Sequence, residues 1–244
     1  GFTCTAAGAC SCPGTVCGSA CCAAGQICIS GQCCNPNWRA DFPGTFLKGI
    51  AADSDGTFIV AGSVGAGLDL ADGHQALAIQ IDACGREVDR EAFMPTGAVR
   101  ARANTVAVSR TNAYVAGVMG PSVSSGGASD GFVTRLAKSP LPVGLFVEVH
   151  IGLRGGDLND EIGDVAIADD GSLWFAGVSE AAPAWANHCA WTVKGNAATG
   201  AACGWNPFGD CTADSAWGMA AVPSERRVYL AGRRGARAFL AGWS

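Results

Sequence analysis

One short pattern recurs four times along the chain, and it constrains the fold more than any other feature. Its fullest copy spans residues 165–177 (VAIADDGSLWFAG) and reads as strand, tight turn, strand. The first copy spans residues 50–62, the second ends at Tyr114-Val115-Ala116-Gly117, and the fourth spans 220–232. The closing glycines are Gly62, Gly117, Gly177 and Gly232, so the steps are 55, 60 and 55 residues. Alanine precedes each of them. Three positions before each lies Ile59, Tyr114, Trp174 or Tyr229, and both tyrosines of the chain fall in that column. A period of this length is the signature of a propeller or a similar array, in which each unit buries its faces against its neighbours.

Each repeat is expected to hold four strands. In the first they are 50–52, 58–61, 76–81 and 91–94, with the turn 53–56 carrying the Asp and Gly that turns need. The second gives 106–108, 113–116, 132–136 and 145–149, and the third 165–168, 173–176, 190–193 and 204–208. The fourth gives only 220–222, 228–231 and 238–241. Residues 37–44 precede the first repeat where an outer strand should sit, so they are expected to pair with 238–241 and close the ring, removing an exposed edge. The second strands are apolar on both faces, as strands sandwiched between sheets must be. Each closing glycine is expected to let the chain bend or approach a neighbour closely. The expected fold is all-β: a small four-bladed β-propeller over 36–244, closed by its own N-terminal strand and preceded by a disulfide-rich module over 1–35. The 35 glycines and the low charged fraction of 15% suit that class.

Cysteine usage sets the compartment. Nine of the 13 cysteines lie within residues 4–34: Cys4, Cys10, Cys12, Cys17, Cys21, Cys22, Cys28, Cys33 and Cys34. Few large apolar residues separate them, so crosslinks must hold this stretch together, which implies an oxidising, extracellular location. The odd count lets one bond outward, to Cys84, Cys189, Cys203 or Cys211; Cys203 and Cys211 could also close a loop around Trp205. Zinc fits poorly, since the spacing lacks paired C-x2-C and no His lies in the segment. The chain starts at Gly1 with no signal peptide, which reads as processing or as an excerpt. No apolar run is long enough to span a membrane. A net charge of −5 gives no reason to expect nucleic acid.

The run 17–34 (CGSACCAAGQICISGQCC) resembles small secreted knottin, granulin-like and chitin-binding modules, which share vicinal Cys-Cys pairs. Chitin binding in such modules uses clustered aromatics, whereas Phe2 is the only aromatic here. Residues 155–177 (GGDLNDEIGDVAIADDGSLWFAG), with the echo DGFVTRL at 130–136, resemble the bacterial beta-propeller repeat of SBBP type. That resemblance implies an extracellular protein with no catalytic activity tied to the repeat.

Candidate site residues fall in segments expected to be loops over a central channel. Asp157, Asp160, Glu161 and Asp164 crowd one such segment, and their hard oxygens could hold calcium. His74 and His188 occupy equivalent positions before their third strands and could bind a metal or ligand. Trp185 and Asn187 could form a platform for a sugar or protein. No nucleophile elbow, H-E-x-x-H or phosphate loop is present. The leading expectation is therefore a non-catalytic binding or structural module for adhesion at a bacterial surface. Its partner would be a protein, a glycan or its own copies, as in a homo-oligomeric filament or coat. The alternative is a secreted polysaccharide hydrolase or lyase using Asp69, Asp72 or the two histidines.

Overall fold

A computed structural model describes residues 3–4, 10–12, 14–29, 31–65, 71–121, 128–138, 149–151, 160–168, 170–181, 187–196, 202–208, 215–222, 227–234 and 236–243. Everything regular among them is β. The N-terminal module holds three two-stranded ribbons: β1 (Thr3–Cys4) with β2 (Cys10–Ser11), β3 (Val16–Cys17) with β4 (Ala20–Cys21), and β5 (Ile27–Ile29) with β6 (Gln32–Cys34). Disulfides Cys12–Cys21, Cys17–Cys28 and Cys22–Cys33 interlace the last two ribbons and the segment before them. A fourth, Cys34–Cys84, runs from the end of the module to the main body.

Four consecutive antiparallel sheets follow. The first is β7 (Thr45–Ala52), β8 (Phe58–Val64), β9 (Gln75–Ile81) and β10 (Glu87–Phe93). The second is β11 (Arg100–Val108), β12 (Asn112–Gly120), β13 (Asp130–Ala137) and β14 (Val149–Ile151). The third is β15 (Asp160–Ile167), β16 (Ser172–Ala181), β17 (Asn187–Asn196) and β18 (Ala202–Phe208). The fourth has three strands, β19 (Ser215–Val222), β20 (Arg227–Arg234) and β21 (Arg237–Trp243). The opening strands lie side by side, β11 between β7 and β15, and β15 between β11 and β19.

The sheets stack through three cores. Ile59, Ala61 and Phe93 meet Ala103, Val115 and Phe132 between the first and second, with the Phe93 and Phe132 rings edge to face at 6.1 Å. Tyr114 and Val133 meet Ile162, Leu173 and Phe175 between the second and third. Ala176 meets Ala216 and Leu230 between the third and fourth. The aromatic column of the repeat has a packing reason: Ile59, Tyr114, Trp174 and Tyr229 each pair across the ladder with an alanine, Ala51, Ala107, Ala166 and Ala220. A large side chain on each second strand thus sits beside a small one on each first strand.

The first strands are longer than the sequence suggests. Residues 45–48, 100–104, 160–164 and 215–217, expected as connections, belong to β7, β11, β15 and β19. A β-bulge falls at the same place in each, at Lys48, Asn104, Gly163 and Trp217. The extra residue breaks the period-two alternation, which hides the first half of the strand from pattern reading. Each closing glycine pairs with the residue just before the bulge, opposite Leu47, Ala103, Ile162 and Ala216. The bulge pushes a carbonyl across the ladder, so a Cβ at Gly62 or Gly117 would collide with the backbone of Phe46 or Arg102. Close approach therefore explains these glycines, which lie inside their strands and not at the ends.

The expected closing strand is not formed. Residues 37–42 are not in a strand, and among the described residues nothing pairs with the free edge of β21. The segment packs instead on the outward face of the first sheet. Trp38 lies against Gly85 and 6.2 Å from the Phe58 ring, and Phe42 joins Val60, Leu77 and Ile79. The Cys34–Cys84 bond anchors the start of the segment beside the first sheet. Leu240 on β21 is correspondingly 74% exposed. No helix among the described residues is long and apolar enough to cross a membrane.

Candidate functional site

The four bulges bring polar side chains from successive repeats together. Lys48 Nζ donates to Asn104 Oδ1 at 2.9 Å and lies 3.4 Å from Glu161 Oε1. Arg102 donates through Nε to Asn104 Oδ1 at 3.2 Å and through Nη2 to Glu161 Oε1 at 3.2 Å. Asn104 Nδ2 donates to Glu161 Oε1 and to the Ile162 carbonyl, both at 2.8 Å. Lys48 Nζ also stands 6.0 Å from the centre of the Trp217 ring, so β19 approaches β7 as well. All four first strands thus contribute to one central cluster.

The bulge positions explain the arrangement. A bulge re-aims the inserted side chain out of the pleat. Where the third repeat has Gly163, a Cβ would crowd the Trp217 ring and the Ala216 carbonyl, so the glycine leaves room for the indole. Trp217 remains 48% exposed beside the polar groups. Burial pulls the Lys48 ammonium below the usual lysine range; Glu161 opposes that shift and Arg102 adds to it.

Asp164, next to the third bulge, works in the framework. Its Oδ1 accepts from Thr105 Oγ1 at 2.6 Å and from the Val165 N–H at 2.8 Å, and its Oδ2 accepts from the Met219 N–H at 2.6 Å. It therefore ties β11, β15 and β19 together. Asp164→Ala strips three donors of their acceptor and should cost about 1–3 kcal/mol in urea denaturation. Burial pushes the Asp164 carboxyl up, against the pull of its three donors. Folding therefore takes up a proton at this group, and its ionisation weakens the fold as pH rises from about 4 through its folded pKa. Asp164→Asn should remove that downward slope; an unchanged pH profile would show that the donors outweigh burial.

The sequence candidates fare differently. Asp160, Glu161 and Asp164 lie on strand β15, not in a loop, and Asp157 falls outside the described residues. Asp160 is buried, Glu161 faces the central cluster and Asp164 is held by Thr105 and Met219, so the three carboxylates do not converge on one point. His74 and His188 are equivalent in register, each three residues before the residue paired with a closing glycine (Leu77 with Gly62, Trp191 with Gly177). His74 immediately precedes β9 of the first sheet and His188 lies on β17 of the third, with the second sheet between those two. The His74 ring packs on Gly65, whose φ is 122°, and its backbone carbonyl accepts from the Ala101 N–H. Trp185, Asp69 and Cys211 lie outside the described residues, as do the side chains of Asn187, His188, Cys203, Cys4 and Cys10. Asp72 is in the turn before β9. Among the described residues the one group close enough to hold a metal is Cys17, Cys22 and Cys33, within 4.8 Å of one another, and disulfides occupy all three sulfurs.

Sequence reading passed over Lys48, Arg102 and Asn104, and named Trp217 only as one of four tryptophans, with Trp185, Trp205 and Trp243, suited to binding. Continuing the repeat alignment five residues upstream of each copy would have put Lys48, Asn104, Gly163 and Trp217 in nearly one column, three large polar or aromatic residues where a hidden core position would be small or aliphatic. Neither a protein-family model nor a curated protein matches the chain.

Proposed function

We propose that the chain is a non-catalytic extracellular binding module, its four sheets set as blades of a small propeller of the bacterial repeat type, and that it recognises a glycan over the central cluster. The propeller reading draws support from the regular repeat, the side-by-side first strands and the approach of Lys48 to Trp217. The disulfides are compatible with an extracellular protein. One observation carries the binding reading: an exposed tryptophan from the fourth repeat stands beside Lys48 of the first, which in turn joins Arg102 and Asn104 of the second and Glu161 of the third. An indole face with adjacent hydrogen-bonding groups suits a sugar ring. Among the described residues Glu161 is the one carboxylate in the cluster, and it accepts from three donors through Oε1, an arrangement unlike the paired carboxylates of glycoside hydrolysis.

A glycan array followed by titration of the best ligand is the test. Trp217→Ala should weaken binding by at least about tenfold, the loss of roughly 1.4 kcal/mol. Binding unaffected by that change, or no glycan bound at all, would remove the central cluster as a glycan site and favour a protein partner or self-association.

A further inference from the structure

The chain has only three lysines, Lys48, Lys138 and Lys194, and the structure gives them three different settings. Lys138 is paired with Asp53, with side chains only 10% and 3% exposed. Lys194 is 44% exposed, paired with Asp170 at 3.4 Å and 5.3 Å from the Trp174 ring. Among the described residues Lys48 has no acceptor to itself. Both acceptors in its reach, Asn104 Oδ1 and Glu161 Oε1, are shared with the Arg102 guanidinium. Two cations thus crowd one carboxylate oxygen. Among the described residues the charged groups facing Lys48 are Arg102 from β11 and Glu161 from β15, while β19 presents Trp217 and the Asp164 carboxyl is held by Thr105, Val165 and Met219. Arginine does not give up its proton, so the strain of the shared site falls on the amine. The direction of its titration agrees, since burial and Arg102 both favour the neutral form. Desolvation beside a second cation is a recurrent way of making a lysine nucleophilic at neutral pH. With its side chain 36% exposed, Lys48 is also reachable from solvent.

We propose that Lys48 is a reactive amine that takes up small polyhydroxy aldehydes as an imine at the central cluster. The inference rests on the reading of that cluster as a ligand site and names its chemistry. The neutral Nζ adds to the carbonyl carbon and a C–N bond forms. The carbonyl oxygen takes protons, the C–O bond breaks, and the oxygen leaves as water. Amine and aldehyde give imine and water, with no oxidant or reductant. Glu161 Oε1, 3.4 Å from Nζ, is placed to accept the proton that the ammonium must lose first. Hydroxyls of the ligand find donors in the Arg102 guanidinium and an apolar face in Trp217, while Asn104, both of its amide hydrogens held by Glu161 and the Ile162 carbonyl, fixes the cluster from beneath.

The test is reductive labelling of the intact, disulfide-bonded protein with glyceraldehyde and cyanoborohydride at pH 7, read by peptide mass spectrometry. Lys194, the more exposed amine, is the internal reference. Lys48 should be modified at least about tenfold faster than Lys194. Arg102→Gln should slow Lys48 several-fold and move its pH profile upward, with the Lys194 rate and near-ultraviolet circular dichroism unchanged. Equal rates at Lys48 and Lys194, or a Lys48 rate indifferent to Arg102→Gln, would overturn the proposal. Propanal labelling Lys48 as selectively as glyceraldehyde would overturn the role given to the hydroxyls. Unselective labelling with Trp217-dependent glycan binding intact would overturn the imine alone and leave the binding surface standing.

Discussion

Lys138→Met should cost about 3–5 kcal/mol of stability, the usual penalty for stranding one partner of a buried ion pair. Lys138 follows β13 of the second sheet, and Asp53 sits in the β7–β8 turn of the first. The pair therefore spans two repeats at the far ends of their strands from β7's start. Asp53 is otherwise engaged only locally: Oδ1 accepts from the Ser54 N–H and hydroxyl, and the backbone N–H donates to the Thr57 carbonyl at 2.8 Å. Removing the ammonium leaves a carboxylate that is 3% exposed without its counter-charge. Asp53→Leu alone should be similarly damaging, whereas the double change Asp53→Leu with Lys138→Met should recover most of the loss, because an apolar pair of similar volume carries no desolvation cost. Urea denaturation of the three variants with disulfides intact measures the cycle. Single variants within about 1 kcal/mol of the parent would mean that the turn opens and hydrates the orphaned charge.

Gly117→Ala should cost about 3 kcal/mol, at the upper end of overpacking penalties. The atoms its Cβ would meet are the Arg102 carbonyl and the Ala103 Cα, backbone that belongs to the bulge and cannot rotate away. Relief requires flattening the bulge, which would also misplace Asn104 and so the central cluster. Gly218→Ala is the control. Its Cβ would meet only the Ala231 Cβ at 3.9 Å, an ordinary contact. Loss of strand-glycine entropy should make it neutral or stabilising by about 0.5–1 kcal/mol. Thermal unfolding of the two variants side by side separates crowding from a general dislike of substitution in these strands. Equal effects would refute the bulge explanation.

The repeat column of Ala-Gly was legible at once, and at Gly62 and Gly117 close backbone approach demands the glycine. The four-sheet organisation followed from its spacing, and the third and fourth sheets show the expected strands. The starts of β7, β11, β15 and β19 were not legible. Pattern reading assumes two-residue alternation, and Lys48, Asn104, Gly163 and Trp217 each shift its phase by one. The central cluster lies on those shifted residues, so it escaped together with them. Residues 37–44 misled for another reason. They precede the first repeat where an outer strand was expected, but Trp38 and Phe42 pack on the first sheet beside the Cys34–Cys84 bond, and pairing between distant cysteines is not written in local pattern.

The Cys34–Cys84 bond encloses a 50-residue separation that takes in the linker, β7, β8 and β9. A protease that cuts once anywhere inside that span produces two fragments that stay covalently joined. On a gel such a nicked molecule migrates as one chain until a reductant is added. The chain can thus tolerate a break in the exposed linker beside Trp38 and still keep its cysteine-rich module in place.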